Sequence, residues 1–403
     1  MKKNNLLFAL VLFVGSSMFA HTENSVDKPM EARSIAEGES NNKLPSWALG
    51  GFVRPAGMNP VIVPDTSSFF FCPMNRANVK WEESDTFNPA AVVKDNKIAV
   101  LYRAEDNSAT GIGKRVSRIA LAESTDGMLF QRHAHPVIFP DIDGNKKYEW
   151  PGGCEDPRVA ETEDGTFVLF YTSWDRSKAR LCVATSKDLH QWIKHGPIFA
   201  KAYNGKYLNT WSKASSIVTE LNNNRLVISR VNNQYFMYWG EYQTHAAVSD
   251  NLIDWTPLED NSGKLLVLAD TRKGYFDSDL VECGPPAIKT KDGIVLLYNG
   301  KNKTNNDRDV RFNPGTYSAG QMLFDLNDPC KLLARMDVPF FRPMESYEKS
   351  GQYADGTVFI EGLVYYQKKW FLYYGCADSK VGVAVYDPEY SMNGDPIPAY
   401  EQE

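Results

Sequence analysis

Trp150-Pro151-Gly152-Gly153-Cys154-Glu155-Asp156-Pro157-Arg158-Val159 sets two adjacent acids behind a glycine pair and ahead of a Pro-Arg step. Glycine lets the backbone turn tightly and lets a ligand approach it. Pro157 biases Asp156 toward an extended conformation. Val159-Ala160, the Asp164-Gly165 turn signal and the run Phe167-Val168-Leu169-Phe170-Tyr171 read as two strands of a hairpin. Glu155 and Asp156 therefore stand at the open mouth of a hairpin, not on a helix. Alone, such a pair could simply cap a turn, with Asp156 held by Arg158. The same layout recurs along the chain, however.

Upstream, Phe87-Asn88-Pro89-Ala90-Ala91-Val92-Val93 turns at Lys94-Asp95-Asn96-Lys97 into Ile98 to Arg103, and Ser117 to Gly127 follows. The quoted stretch opens a second unit, which runs on to Leu181 to Trp192. A third begins at Lys213-Ala214-Ser215-Ser216-Ile217, turns at Asn222-Asn223-Asn224 and ends at Ala246 to Trp255. A fourth begins Glu282-Cys283-Gly284-Pro285-Pro286, turns at Asp292-Gly293 and continues through Leu296 to Gly300 and Gln321 to Leu326. A fifth contains Gly356 to Phe359, Phe371 to Gly375 and Val381 to Tyr386. Each unit holds about four short strands, and a lone four-stranded sheet cannot bury both faces. All-β self-similarity at this period predicts a five-bladed β-propeller rather than a β-sandwich or β-helix. Segment 50–80 is expected to supply the outer strand of the last blade and close the ring.

In a propeller the first strand of each blade lines the axis, so the five first-strand openings converge. They read Asn88-Pro89, Asp156-Pro157, Lys213-Ala214, Glu282-Cys283-Gly284 and Asp355-Gly356. Strand starts that only packed a core would be apolar, so this convergence predicts a site. Two or more carboxylates around one pocket suit glycoside cleavage, one as acid and one as base. The candidate acids are Glu155, Asp156, Glu241, Glu282 and Asp378. Arg103, Arg118, Arg158 and Lys213 could orient hydroxyls or bind an anion. Trp150, Trp174, Trp211, Trp239 and Tyr298 could stack on a sugar or pack between blades. No nucleophile elbow, HExxH, P-loop or EF-hand pattern occurs, and no cofactor is called for. His133-Ala134-His135 falls on an outer turn and is read as surface, so no metal site is expected.

The termini and composition set the address. Lys2 and Lys3 precede the apolar run Leu6 to Val14 and the small residues Gly15, Ser16, Ser17 and Ala20. This predicts a signal peptide over 1–20 rather than a membrane anchor. The polar stretch 21–46 reads as a disordered linker, and 47–403 as a single catalytic domain. The expected location is secreted or periplasmic, with no membrane association once the signal is removed. The chain has 44 basic and 50 acidic residues; without Lys2 and Lys3 the balance is about −8, which argues against nucleic acid as a partner. Its six cysteines lack metal spacing and are expected to be mostly buried and free, with one or two disulfides left open.

Several of these motifs carry a resemblance to glycoside hydrolase family 130. They are Phe87-Asn88-Pro89-Ala90 with Leu101-Tyr102-Arg103, Ser117-Arg118-Ile119, Gly153-Cys154-Glu155-Asp156-Pro157-Arg158, Gly284-Pro285-Pro286 with Leu297-Tyr298-Asn299-Gly300, and Tyr373-Tyr374-Gly375-Cys376-Ala377-Asp378. The resemblance spans about residues 50–390. It implies a five-bladed propeller that cleaves β-mannosides, with Asp156 as general acid acting through a sugar hydroxyl. It also implies Arg103 and Asp378 at the subsite for the non-reducing mannose; Asn88, Arg118, Glu155, Arg158, Lys213 and Tyr298 complete the candidate substrate-binding set. Most of the family are phosphorylases. Here Asn299 stands where they typically carry His, and the third blade opens with one cation, Lys213. Glu241 and Glu282 put carboxylates where a dianionic phosphate would be repelled. The expected activity is therefore inverting hydrolysis of a β-mannoside oligosaccharide, including β-1,2 linkages, with Glu241 or Glu282 as base. A β-mannoside phosphorylase would need Lys213 and Arg230 to converge, and a non-catalytic glycan-binding propeller is the third reading.

Overall fold

Short apolar runs broken by Asp-Gly, Asn-Asn and Asp-Asn turns leave this chain little but hairpins to form. The computed structural model describes residues 44–389. The expected leader, nearly all of the 21–46 linker and the tail beyond 389 lie outside the described residues. Among the described residues, helix is limited to Lys146–Glu149, two 3-10 turns and residues 388–389.

The first blade is the antiparallel meander Asp85–Lys94, Lys97–Glu105, Ser117–Ser124 and Gln131–Arg132. The second is Gly153–Glu161, Phe167–Trp174, Ala179–Ser186 and Ile193–Pro197. In the third, Ser215–Asn222 pairs with Gln234–Trp239, which pairs with His245–Ser249 and then Thr256–Pro257. In the fourth, Leu280–Cys283 and Ala287–Thr290 both pair with Gly293–Lys301, followed by Tyr317–Phe324 and Leu332–Arg335. The fifth contributes Val358–Tyr366, Lys369–Cys376 and Lys380–Tyr386. Its outer edge is taken by the N-terminal segment. Val53 exchanges both backbone hydrogen bonds with Val385, and Val381 bonds Val61 and Ile62. Segment 50–80 thus closes the ring as expected.

The packing shows the ring directly. Each sheet buries both faces, one on each neighbouring blade. Leu101, Ile119 and Leu121 pack on Val159, Leu169 and Tyr171. Phe170 and Val183 pack on Met237, Trp239 and Trp255. Tyr238 and Ala246 pack on Leu296, Tyr298 and Met322; Val295 and Leu297 pack on Val358, Ile360 and Leu372. The cycle ends where it began, with Val364, Phe371 and Tyr373 on Val100, Tyr102 and Ala120. Strands buried on both faces need not alternate polar with apolar residues, which is why these segments read as continuous apolar runs.

Two blades depart from the simple meander. The Asn222-Asn223-Asn224 turn does not lead into the second strand of the third blade. It returns as the short limb Arg225–Ile228, which pairs with the far half of Ser215–Asn222 and touches Glu161 of the second blade through Val227. The fourth inner strand is broken at Gly284-Pro285-Pro286, because proline offers no N–H to the ladder. Gly284 is needed there: an added Cβ would lie 2.7 Å from the Leu297 carbonyl.

At the end remote from the strand openings, three blades share one corner. Ser124, Ser186 and Ser249 each accept two backbone N–H bonds, and Asp126, Asp188 and Asn251 each accept two more. The Trp192 and Trp255 indoles donate to the carbonyls of Leu189 and Leu252 in the same corners. The recurring Ser-x-Asx signal is therefore a turn that satisfies its own backbone.

Candidate active site

The inner strands of the first two blades carry the same irregularity at the same place. The ladder slips at Asn88-Pro89 and again at Asp156-Pro157. Asn88 and Asp156 both have a φ of 48°. Pro157 was expected to keep Asp156 extended; instead the bulge turns it left-handed and aims its carboxylate across the axis. That conformation costs a non-glycine residue about 1–2 kcal/mol and is best tolerated by Asn and Asp. Charge-assisted bonds to the carboxylate offset it.

Those bonds are specific. Asn88 Nδ2 donates to Asp156 Oδ1 at 2.9 Å, and Arg103 Nη1 donates to the same oxygen at 3.0 Å. Lys213 Nζ lies 3.2 Å from Oδ2. Burial pushes the Asp156 carboxyl up, but Lys213 and Arg103 outweigh it and hold the group well below the usual range. Arg103 also donates to Glu105 at 2.6 Å and to Glu155 at 3.0 Å, and Ser117 Oγ accepts from its Nε. Glu155 shares this one guanidinium with two other acids, and burial raises its pKa.

Opposite Asp156 the balance reverses. Glu282 is buried on the fourth inner strand, and its Oε1 accepts no hydrogen bond from the described residues. Burial pushes its pKa up to about 8, opposed by Lys213 and reinforced by Glu241. Half-buried Glu241 accepts the indole N–H of Trp211 at 2.7 Å. Lys213 feels Asp156, Glu241, Glu282 and Glu155 together, and these acids keep its ammonium charged despite burial.

Arg158 lies beneath the cluster and ties three blades together. It donates to the carbonyls of Asp156 at 3.1 Å, Cys283 at 2.9 Å and Gly284 at 3.2 Å. Its charge partner is Glu361, 3.0 Å away on the fifth inner strand, with Glu282 at 4.0 Å. Glu361 is wholly buried and neither oxygen has a properly aligned hydrogen bond among the described residues; burial drives its pKa far up. The sequence reading missed Glu361 and assigned the fifth opening to Asp355, which is exposed. A lone acid inside the apolar strand Val358–Tyr366 was the available signal.

The structure thus gathers Asn88, Arg103, Glu155, Asp156, Arg158, Lys213, Glu241 and Glu282. Asp378 joins them from the fifth blade at a φ of 52°, its pKa raised to about 7 by burial against the pull of Arg103. Two expected binders lie elsewhere. Arg118 shares a strand with Ser117 and so faces the other way; it pairs with Asp106 at 2.9 Å and holds the loop after the second strand. Tyr298 is buried between blades, donating to Asp277 at 2.7 Å. Asn299 clasps the fifth blade, bonding both the N–H and the carbonyl of Ile360. Trp239 is core. Trp211 remains exposed at the mouth, edge-on to Trp174, and Tyr242, Tyr317 and Tyr353 feel the charges of the same acids. Among the described residues the six cysteines divide into five buried and one half-buried free thiol, Cys330 being the latter.

Comparison with known proteins places this geometry. The model of glycoside hydrolase family 130, described as beta-1,4-mannooligosaccharide phosphorylase, matches residues 68–394. A 1,2-beta-oligomannan phosphorylase of Thermoanaerobacter sp. (strain X514) is 32% identical over 77% of this chain and 93% of its own length. The crystal structure of a "putative glycosidase" from Bacteroides thetaiotaomicron VPI-5482 is 56% identical, covering 86% of this chain and 99% of that one at a TM-score of 0.85. A second solved structure is 57% identical over 86% of this chain and 97% of its own, also at 0.85. It is described with the words "The GH130 family of mannoside phosphorylases contains glycoside hydrolases that target beta-1,2 mannosidic linkages in Candida mannan".

Proposed function

The chain belongs to glycoside hydrolase family 130, and on that premise we propose that it is an inverting β-mannosidase acting on β-1,2-linked mannosides. The observation that carries this reading is the charge facing Asp156. A phosphorylase needs several cations there to hold a dianion. From the third and fourth blades comes Lys213, already paired with Asp156, together with the carboxylates Glu241 and Glu282. Arg230 does not converge: its guanidinium donates to the Asn233 carbonyl at 2.7 Å and stacks on Tyr235. Lys301 lies over the Tyr317 ring and pairs with Asp279 at 3.6 Å. The structure described as a putative glycosidase, and the one whose description speaks of glycoside hydrolases targeting β-1,2 mannosidic linkages, are 56% and 57% identical to this chain, against 32% for the oligomannan phosphorylase.

In this mechanism Asp156 protonates the glycosidic oxygen through a sugar hydroxyl and Glu241 takes a proton from the attacking water. Glu241 suits the base role because it opens to the mouth and is oriented by Trp211. Glu282 keeps its own proton near neutrality and donates to the water or to a sugar hydroxyl. Lys213 and Arg103 hold Asp156 toward its ionised form, so it must gain a proton from solvent as substrate arrives. Lys213 is one lever: moving from Asp156 toward Glu241 removes one of the two cations that hold Asp156 ionised, Arg103 being the other. Arg103 and Asp378 hold the non-reducing mannose. The basic start and apolar run at Lys2 to Val14 support export to the periplasm or beyond.

The test is product analysis on β-1,2-mannobiose with and without inorganic phosphate. The expected result is free mannose at equal rates in both, with α-mannose as the first-formed anomer. Mannose 1-phosphate appearing only with phosphate would overturn the hydrolase reading; no product from any β-mannobiose would favour the glycan-binding propeller.

A further inference from the structure

We propose that Glu123, His133 and His190 form a site for a divalent transition-metal ion such as zinc, bridging the first and second blades at the end opposite the acids. His133 and His135 were read from sequence as plain surface. The fold adds what the spacing hides: His190, from the Ser186 corner of the next blade, meets His133 edge-on with ring centroids 4.5 Å apart. His133 Nε2 lies 3.3 Å from Glu123 Oε2, and one ligand atom from each of the three residues falls within 4.8 Å of the others. Zinc bonds of about 2.0–2.2 Å place tetrahedral ligand atoms roughly 3.3–3.5 Å apart. The Glu123–His133 pair already has that spacing. His190 is exposed and needs a swing of about 1 Å to join it.

The three backbones are fixed before any ion arrives. The His133 N–H donates to the Leu121 carbonyl at 2.9 Å. Glu123 is paired with Gln131 in the sheet. The His190 N–H donates to Asp188 Oδ1 at 2.8 Å. The His190 ring makes no side-chain hydrogen bond among the described residues, so its approach to His133 is not explained by a polar contact. Two imidazoles and one carboxylate suit zinc and its neighbours rather than magnesium or calcium, and a water completes the shell. The nearby cation is Lys97, 4.0 Å from Glu123 Oε2. Its side chain is 45% exposed, so it can turn into solvent at little cost. A bound ion would clamp two blades that otherwise meet through apolar contacts such as Leu121 with Leu189, and it would stabilise the folded chain by mass action.

The experiment uses the chain without a histidine tag, stripped by chelator. Zinc chloride is titrated calorimetrically, with magnesium chloride as control. The expected result is one zinc per chain, a rise in melting temperature that EDTA reverses, and no response to magnesium. His190→Ala and Glu123→Gln should each weaken zinc binding at least tenfold while leaving mannoside cleavage and the metal-free melting temperature unchanged. Absence of saturable binding, or undiminished binding in both variants, overturns the proposal.

Discussion

The two ends of the propeller are built from the same strands on opposite rules. At the far end, Ser124, Ser186 and Ser249 head equivalent corners in which every early N–H finds an acceptor within the turn. At the mouth the equivalent openings no longer match: Asn88, Asp156, Lys213 and Glu282 occupy related places with different chemistry, two of them on bulges. There, Glu282 and Glu361 keep oxygens without hydrogen bonds among the described residues. Repetition at one end makes the ring; divergence at the other makes the site. The far end contributes stability, whereas the mouth withholds it in exchange for groups that can move protons.

The sharpest break in that comparison is Asp156→Asn. The amide keeps the bulge and the bond from Asn88 but cannot carry the proton. Cleavage should fall by about 10³–10⁴-fold, measured as mannose release, while the melting temperature falls modestly, because the amide loses the charged contacts of Arg103 and Lys213 but Lys213 retains Glu241 and Glu282 nearby. A folded variant retaining more than a tenth of the activity would remove Asp156 from its role.

Glu282 sharpens the comparison through pH. Its folded pKa, about 8, lies above its ordinary value near 4.5. The folded state therefore holds a proton that the unfolded chain releases, so stability from this group is full below the ordinary value and is lost as pH rises toward 8. The loss is on the order of 3 kcal/mol between about pH 5 and pH 8. Glu282→Gln should flatten this fall in thermal melts across that range and lower kcat by about 10²-fold. A variant whose stability declines with pH as steeply as the parent would show that the glutamate is ionised in the fold.

How much of this was legible depends on strand periodicity. The apolar runs and the turns between them repeat, so the blades and the closing segment could be read directly. Glu155, Asp156, Lys213 and Glu282 could be found because they open their strands. Arg118 and Tyr298 were misplaced because a period of two sends neighbours to opposite faces, and only the register shows that Ser117 and Asn299 face inward instead. The extra limb Arg225–Ile228 was hidden because its turn looks like any other hairpin turn. Glu361 sits at a ladder slip between Ile360 and Gly362 that nothing in its neighbours announces. His190 joins His133 across blades, beyond any local pattern.

Trp211→Phe tests the mouth with a smaller effect. Phenylalanine keeps a ring for a sugar face but loses the N–H that fixes Glu241. If the indole orients the base, kcat should drop about tenfold with KM changed less, since a mispositioned base affects the transition state more than substrate binding. A rise in KM at constant kcat would make Trp211 a stacking surface only.

The smallest effect belongs to the far end. Ser249 Oγ accepts from the N–H groups of Asn251 and Leu252 and donates to the Asp254 carbonyl at 2.7 Å. Ser249→Ala leaves those groups in a turn that holds Leu252 at a φ of 68°. The cost should be about 1–2 kcal/mol in denaturant unfolding, with kcat unchanged below the melting transition. The corner also seats Trp255, whose indole donates to Leu252 and whose ring packs on Phe170 of the preceding blade. The loss should therefore appear as weaker cohesion between the second and third blades, read by faster hydrogen exchange at Met237 and Ala247. If kcat fell with stability, the two ends would be mechanically coupled, and the division between a structural end and a catalytic end would not hold.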